Sequence, residues 1–242
     1  MQRSFINAPR LPLEPQVKCT REQQQLAFMS ASILLDYPAD DAAKRYAAVA
    51  EQAEELPAEL AQPLQQFLDW AQQLGVRKLR EHFVETFDQR RRCALWLSYY
   101  AVGDTRQRGH AILSFAEVLN RGGWQVREGE LPDFLPVVLE FAARDESGSG
   151  VELLAAHRDG LEVLRGALTS CDSGYRHLLT VVCRALPDID LEVVERYQQL
   201  VRRGPATELV GINPTSPLLA PYGANPGEDG AAVSHTALGS QR

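Results

Sequence analysis

Apolar side chains recur along this chain with the period of an α-helix. One series has offsets of 0, 4, 7, 8, 11 and 14 residues, which places Leu60, Leu64, Phe67, Leu68, Ala71 and Leu74 on a single helix face. Gly75 follows and predicts the end of that helix. A second series, at offsets of 0, 3, 7 and 11, comprises Val76, Leu79, Phe83 and Phe87. These patterns indicate a helical fold.

The same period recurs elsewhere along the chain. A helix is predicted from Tyr175 to Leu186, with Asp172 or Ser173 as its N-cap. Thr20 and Gln23 form a capping box that opens the first helix. Weaker series predict helices over residues 20–35, 41–55, 105–121, 134–144, 151–169 and 190–203.

Residues 94–102, ALWLSYYAV, are the only segment whose pattern suits a strand as well as a helix. No other segment offers a partner strand, and an unpaired strand would leave its backbone groups without hydrogen bonds. We therefore predict a buried helical segment that ends at Gly103.

The composition changes after residue 203. Residues 204–242 contain 5 Pro and 6 Gly without a sustained period, which predicts a disordered tail. The expected organisation is an N-terminal extension over residues 1–19, one all-helical domain over residues 20–203 and this tail over residues 204–242. The fold class is therefore all-α, a single-domain helical bundle.

The net charge is 25 − 32 = −7, which argues against a protein that binds nucleic acid through a basic surface. The cluster Arg90, Arg91 and Arg92 is the one feature that favours a helical nucleic-acid regulator, and a surface or helix-end role is the alternative. No base-reading motif accompanies the cluster.

The four cysteines lack the short spacings of a zinc site and are expected to be reduced thiols. No run of 18 uncharged apolar residues and no signal peptide are present, so we expect a cytoplasmic chain that is not inserted in a membrane.

Signatures of catalysis are sparse. There is no phosphate-binding glycine loop and no nucleophile elbow. Glu81, His82 and Glu85 are the best metal candidates because they share a helix face, although a di-iron bundle would need two Glu-x-x-His motifs. A solvated face is the alternative for this trio. His157, on an apolar helix face, is expected to be a hydrogen-bonded histidine at the edge of the core.

Two segments carry more aromatic and charged residues than packing requires. Residues 82–109 set five aromatic side chains among charges of both signs, which suits the recognition of an amphipathic partner. In residues 130–141, ELPDFLPVVLEF, Asp133 can cap the helix that Pro136 begins and that presents Glu140. A stiff corner between helices is the alternative for this second segment.

These segments resemble those of the NarJ-type assembly chaperones of respiratory nitrate reductase, within the TorD/DmsD class of redox enzyme maturation proteins. The resemblance extends over about residues 20–203. It is carried by LLDYP at 34–38, HFVETFD at 82–88, YYAVGDTRQRG at 99–109 and ELPDFLPVVLEF at 130–141.

The resemblance implies a TorD-like helical bundle that acts as a cytoplasmic chaperone without catalytic activity or a cofactor of its own. Its expected partner is the catalytic molybdenum subunit of nitrate reductase, bound through its N-terminal peptide and held competent for insertion of the molybdenum cofactor. Cofactor biosynthesis proteins are further candidate partners. The alternatives are a chaperone for another molybdenum oxidoreductase or a metal enzyme that uses Glu81, His82 and Glu85.

The position of the motifs also implies a set of peptide-binding residues. The lining of a groove is expected from Phe83, Phe87, Tyr99 and Tyr100. Polar contacts are expected from Asp104, Asp133 and Glu140. A rigid corner is expected from Pro132, Leu135 and Pro136.

Overall fold

The structure is a computed structural model, and it describes residues 13–103 and 106–187. Within these residues the regular elements are helical, which confirms the predicted all-α class. The helices are α1 (Arg21–Leu35), α2 (Ala42–Gln52), α3 (Ala58–Phe83), α4 (Leu97–Val102), α5 (Gln107–Arg121), α6 (Leu135–Arg144), α7 (Ser149–Ala156), α8 (Arg158–Ser170) and α9 (Arg176–Ala185). The predicted helix over 190–203 and the tail lie outside the described residues.

The longest helix contains the break that the sequence predicts. Gly75, with φ of 73° and ψ of 157°, interrupts the helical conformation within α3. An L side chain would be strained at this positive φ, so glycine permits the change of direction. A π-helical turn, Val84–Asp88, continues α3 and carries Phe87.

The core is one cluster of apolar side chains that all these helices share. The most extensive helix pair is α1 with α6, and α9 packs against α1, α3 and α8. A hydrogen bond of 2.7 Å from the Ser32 hydroxyl to the Pro136 carbonyl fixes α1 against the start of α6. The described residues all belong to one compact unit. No helix among them is both long and apolar enough to cross a membrane.

The capping predictions had different outcomes. Thr20 and Gln23 form the capping box that opens α1, as predicted. The N-cap prediction for the last described helix is wrong, because α9 begins after Tyr175 and no side chain caps it. Asp172 instead adopts a left-handed conformation with φ of 53°, and the Ser173 hydroxyl lies 2.8 Å from His82 Nε2.

The ambiguous segment 94–102 is only partly helical. Helix α4 comprises Leu97–Val102, and Gly103 terminates it as predicted, with φ of 67°. The prediction of a helix is wrong for the first three residues, since Trp96 is extended and forms an isolated antiparallel bridge with Phe134. The missing partner strand is thus a single bridged residue that period analysis cannot detect.

The predicted helix over residues 151–169 is two helices. His157 lies between α7 and α8 with φ of −104° and ψ of 12°, outside the helical range. Its side chain is buried, with Nδ1 at 2.8 Å from the Leu153 carbonyl oxygen and the ring 4.9 Å from that of Phe115. Burial lowers the pKa of His157, while the Leu153 hydrogen bond acts in the opposite direction. His157 is therefore the core histidine that the sequence predicted.

Candidate functional site

The two segments singled out in the sequence meet in the structure. The Leu97 amide donates to the Asp133 carbonyl at 2.9 Å, and the Leu135 amide donates to the Leu95 carbonyl at 2.7 Å. These two bonds flank the bridge between the segments. We call this contact the motif junction, formed by residues 95–98 and residues 132–135.

Proline shapes the second half of the junction. The residue before a proline disfavours the helical region, and Leu131, which precedes Pro132, is accordingly not helical. Phe134 is extended at the boundary of α6. Pro136 lies in the first turn of α6, where the missing amide has no helical acceptor to lose. The predicted start of this helix near Pro136 is therefore confirmed.

Aromatic side chains cover the junction. The rings of Trp96 and Phe134 lie 6.0 Å apart, and the Arg108 guanidinium carbon lies 5.9 Å from the centre of the Trp96 ring. Both aromatic residues are only half-buried, and the neighbouring Leu131 is 41% exposed. The junction thus presents apolar surface that an amphipathic ligand could cover.

A polar network lies beneath these rings. The Ser98 hydroxyl donates to Oδ2 of Asp133 and accepts from Arg108 Nε at 3.3 Å. Asp133 is fully buried, and its Oδ1 has no hydrogen-bond partner among the described residues. Burial raises the pKa of Asp133, against the lowering effects of the Ser98 hydrogen bond and the Arg108 charge.

The proposed capping role of Asp133 is therefore wrong. Helix α6 begins at Leu135 after Phe134, and no side chain caps it. The Asp133 side chain turns towards α4 instead and tethers the junction through Ser98.

The two tyrosines of α4 occupy different environments. Tyr100 is buried, and its hydroxyl donates to the carbonyls of Ala94 at 2.8 Å and Arg92 at 3.2 Å. Burial raises the pKa of Tyr100 well above its ordinary value. Tyr99 is half-buried and meets the Tyr100 ring edge-on at 5.5 Å. Tyr99 is thus accessible from solvent, whereas Tyr100 fixes the segment before α4.

Phe83 and Phe87 lie inside the domain. Their rings are 4.8 Å apart, and they lie 5.9 Å and 4.8 Å, respectively, from the ring of the fully buried Tyr175. Tyr37 covers Phe83 from the solvent side at 5.5 Å. Both phenylalanines therefore support the fold rather than form part of its surface.

The remaining predicted site residues are divided between interior and surface. Pro132, Leu135 and Pro136 are buried. Glu140 is half-buried on α6 and forms an ion pair of 3.1 Å with Arg144. Asp104 lies outside the described residues.

Sequence reasoning did not include Trp96, Ser98 and Phe134 of the junction among the expected site residues, nor the neighbouring Arg108 and Leu131. The signal that could have identified Phe134 is an aromatic residue between two prolines, directly after the acidic Asp133.

The metal candidates do not converge. Glu81 and Glu85 are exposed, whereas His82 points towards Ser173 and packs edge-on against Trp70 at 5.1 Å. Within the described ranges no group of three or more His, Cys, Asp or Glu side chains could hold a metal ion. Arg90, Arg91 and Arg92 are exposed at the surface, in or beside a short 3-10 turn.

Comparison with known proteins identifies the family. The family model described as "Nitrate reductase delta subunit" matches residues 53–180, which include both halves of the junction. The chain is 30% identical over 165 residues to the "Nitrate reductase molybdenum cofactor assembly chaperone NarJ" of Escherichia coli strain K12, covering 66% of this chain and 69% of that one.

Two further relatives match different shares of the chain. The "Probable nitrate reductase molybdenum cofactor assembly chaperone NarJ" of Bacillus subtilis is 29% identical over 167 residues, covering 69% of this chain and 91% of that one. The "Nitrate reductase-like protein NarX" of Mycobacterium tuberculosis is 44% identical over 102 residues, or 42% of this chain, and the match spans only 16% of NarX. The chain therefore belongs to the nitrate reductase delta subunit family, among its NarJ-type members.

Proposed function

We propose that this protein is a cytoplasmic chaperone for the apo form of the catalytic subunit of respiratory nitrate reductase. It binds the N-terminal peptide of that subunit and keeps it competent for molybdenum cofactor insertion and complex assembly. It is not an enzyme and has no cofactor of its own. The observation that carries the proposal is the half-exposed aromatic surface where the two motif segments meet in a NarJ-type chain.

An amphipathic peptide helix can bury its apolar face against this surface. Trp96, Tyr99 and Phe134 are half-buried and Leu131 is exposed, so all four have apolar area left to lose from water. Each 100 Å² of apolar area buried contributes about 2.5 kcal/mol before the cost of ordering the peptide. The aromatic residues are therefore the expected anchors.

The buried residues of the predicted site do not contact the peptide but hold the binding surface in place. Tyr100 supports the segment that carries Trp96 through its hydrogen bond to the Ala94 carbonyl, and Asp133 tethers that segment through Ser98. Phe83 and Phe87 pack around Tyr175 in the core. Pro132, Leu135 and Pro136 fix the corner from which Phe134 projects.

Charge favours a basic peptide over an acidic one. The net charge of −7 attracts a cationic segment over long range, and Asp104 and Glu140 are the expected polar contacts. Glu140 already accepts an arginine, Arg144, which supports its ability to receive a guanidinium group from a ligand.

Calorimetry with a synthetic peptide tests the proposal. The peptide reproduces the N-terminal residues of the nitrate reductase catalytic subunit from the same cell, and it should bind with a negative heat-capacity change. Trp96→Ala should weaken binding by about 1–3 kcal/mol without loss of helicity, since the junction hydrogen bonds involve the neighbouring backbone.

Trp124→Ala is the matched control, because Trp124 is also half-buried but packs against Phe141 and Arg144 instead. Equal losses of peptide affinity in the two variants would contradict the assignment of the junction to the binding site. If the N-terminal peptide of a different molybdenum oxidoreductase bound more tightly than the nitrate reductase peptide, that other enzyme would be the partner.

A further inference from the structure

A second polar site lies apart from the motif junction, where α3, α8 and α9 meet the segment before α1. It is an open pocket of about 370 Å³. Its lining includes the arginines Arg165, Arg176 and Arg184, together with His177 and the amide side chains of Gln62 and Gln66. Side chains that donate hydrogen bonds therefore dominate the wall.

The pocket already holds one oxyanion, the carboxylate of Glu14. Its Oε1 lies 2.8 Å from an Arg165 amino group, and its Oε2 accepts from Arg184 Nε at 2.8 Å. The backbone of Glu14 is fixed too, because its carbonyl accepts from Arg158 at 2.5 Å and its amide donates to Glu162 at 2.9 Å. The chain's own carboxylate thus shows what chemistry the arginines accept.

Donors remain beside this carboxylate. Arg184 uses Nε for Glu14 and Nη1 for the Glu59 carbonyl, and no described residue accepts from its Nη2. Among the described residues, Arg176 donates through Nη1 alone, to Asp172 and to the Ser173 carbonyl. The Asp172 side chain is 96% exposed, so its pair with Arg176 is weak and easily exchanged. Two guanidinium groups therefore present to the same pocket N–H donors from which no described residue accepts.

Arginines outnumber carboxylates among the side chains that line the pocket. The three arginines and Glu14 give 3 − 1 = +2, and this excess is offset by Glu162 and Asp172, which lie outside the lining and pair with Arg165 and Arg176. Burial and the neighbouring Arg176 charge lower the pKa of His177, so it adds no charge near neutral pH. A planar guanidinium fork matches the oxygens of a phosphate group in a bidentate arrangement.

We infer that this pocket binds a small phosphate-bearing anion through Arg176 and Arg184, next to the Glu14 carboxylate. The inference concerns a site separate from the junction and does not depend on the proposed peptide binding. Because Glu14 shares Arg184 with the incoming anion, its negative charge opposes binding.

Titration calorimetry of the full chain with pyrophosphate and with inorganic phosphate tests the inference, at an ionic strength held constant with chloride. Both anions should bind, and Arg176→Gln should weaken the affinity by about tenfold, since it removes one charged donor group. Arg121→Gln is the matched control, because Arg121 is an exposed arginine on α5 that also pairs with an acidic residue four positions away.

Glu14→Gln provides a test of opposite sign. Removal of the competing charge should tighten pyrophosphate binding severalfold, whereas a loss of affinity would contradict the shared use of Arg184. Absence of measurable binding, or equal losses in Arg176→Gln and Arg121→Gln, would overturn the site. Equal affinity for malonate, a dicarboxylate, would overturn its assignment to phosphate. Trp96→Ala should leave anion binding unchanged.

Discussion

Removal of the Tyr100 hydroxyl group tests whether this residue has a structural role or a peptide-binding role. Tyr100→Phe removes the hydroxyl that donates to the buried Ala94 carbonyl at 2.8 Å and to the Arg92 carbonyl at 3.2 Å, while the aromatic ring is retained. A buried hydrogen bond of this kind contributes about 1 kcal/mol net, and the acceptor left without a donor raises the expected loss to about 1–2 kcal/mol. For a chain of this size that loss corresponds to a fall in Tm of about 2–8 °C.

Thermal unfolding followed by circular dichroism measures this change. Tyr99→Phe is the matched control, since the adjacent hydroxyl donates to no described residue and its loss should shift Tm by less than about 1 °C. Peptide affinity should change little in Tyr100→Phe, because the hydroxyl faces the interior. An unchanged Tm combined with a marked loss of peptide affinity would refute the assignment of Tyr100 to the interior.

Two further predictions concern packing and pH. Gly150→Ala should lower the free energy of unfolding in urea by about 1–3 kcal/mol, because the added Cβ would lie 2.6 Å from the Ala142 Cα. Gly166→Ala is the control: the new methyl group has open space around it, so this variant should be neutral or more stable by up to about 1 kcal/mol. Burial raises the pKa of Asp133 in the folded state, so its contribution to stability is complete below the unfolded pKa and is lost as pH rises through the folded pKa. Asp133→Asn should therefore gain stability relative to wild type as pH increases from about 4 to 7. Asp145→Asn should show the opposite trend: burial raises the Asp145 pKa, but hydrogen bonds from Gly150 and Ser147 lower it more, so wild-type stability is lost as pH falls. Parallel slopes for the two variants would contradict these pKa directions.

Helix periodicity accounts for most of what could be read from the sequence. The apolar series on α3, the Gly75 break and the Thr20 capping box depend on residues close in sequence, and all three occur in the structure. The break at His157 does not have such a signal, because Leu153, Leu161 and Leu164 keep the same period across it.

The candidate site was less accessible from sequence because it depends on long-range contacts. Asp133 is a residue type that often caps helices, but its carboxylate accepts a hydrogen bond from the hydroxyl of Ser98, which is 35 residues away, instead. Phe83 and Phe87 show the period of a helix face, and periodicity cannot tell whether that face meets a ligand or Tyr175. The sequence identified the two segments that meet but not the side chains that face solvent.

Two backbone amides at the antiparallel bridge can show by their hydrogen exchange when the two segments of the junction separate. Among the described residues the amides of Leu97 and Leu135 alone donate across it, one from each segment, and each lies beside a residue of the bridged pair. Hydrogen exchange at either amide requires the segments to separate, so both should exchange with a common opening free energy below that of global unfolding. A ligand that spans Trp96 and Phe134 would slow the two exchange rates together, and hydrogen–deuterium exchange at these two amides would then report ligand binding at the junction.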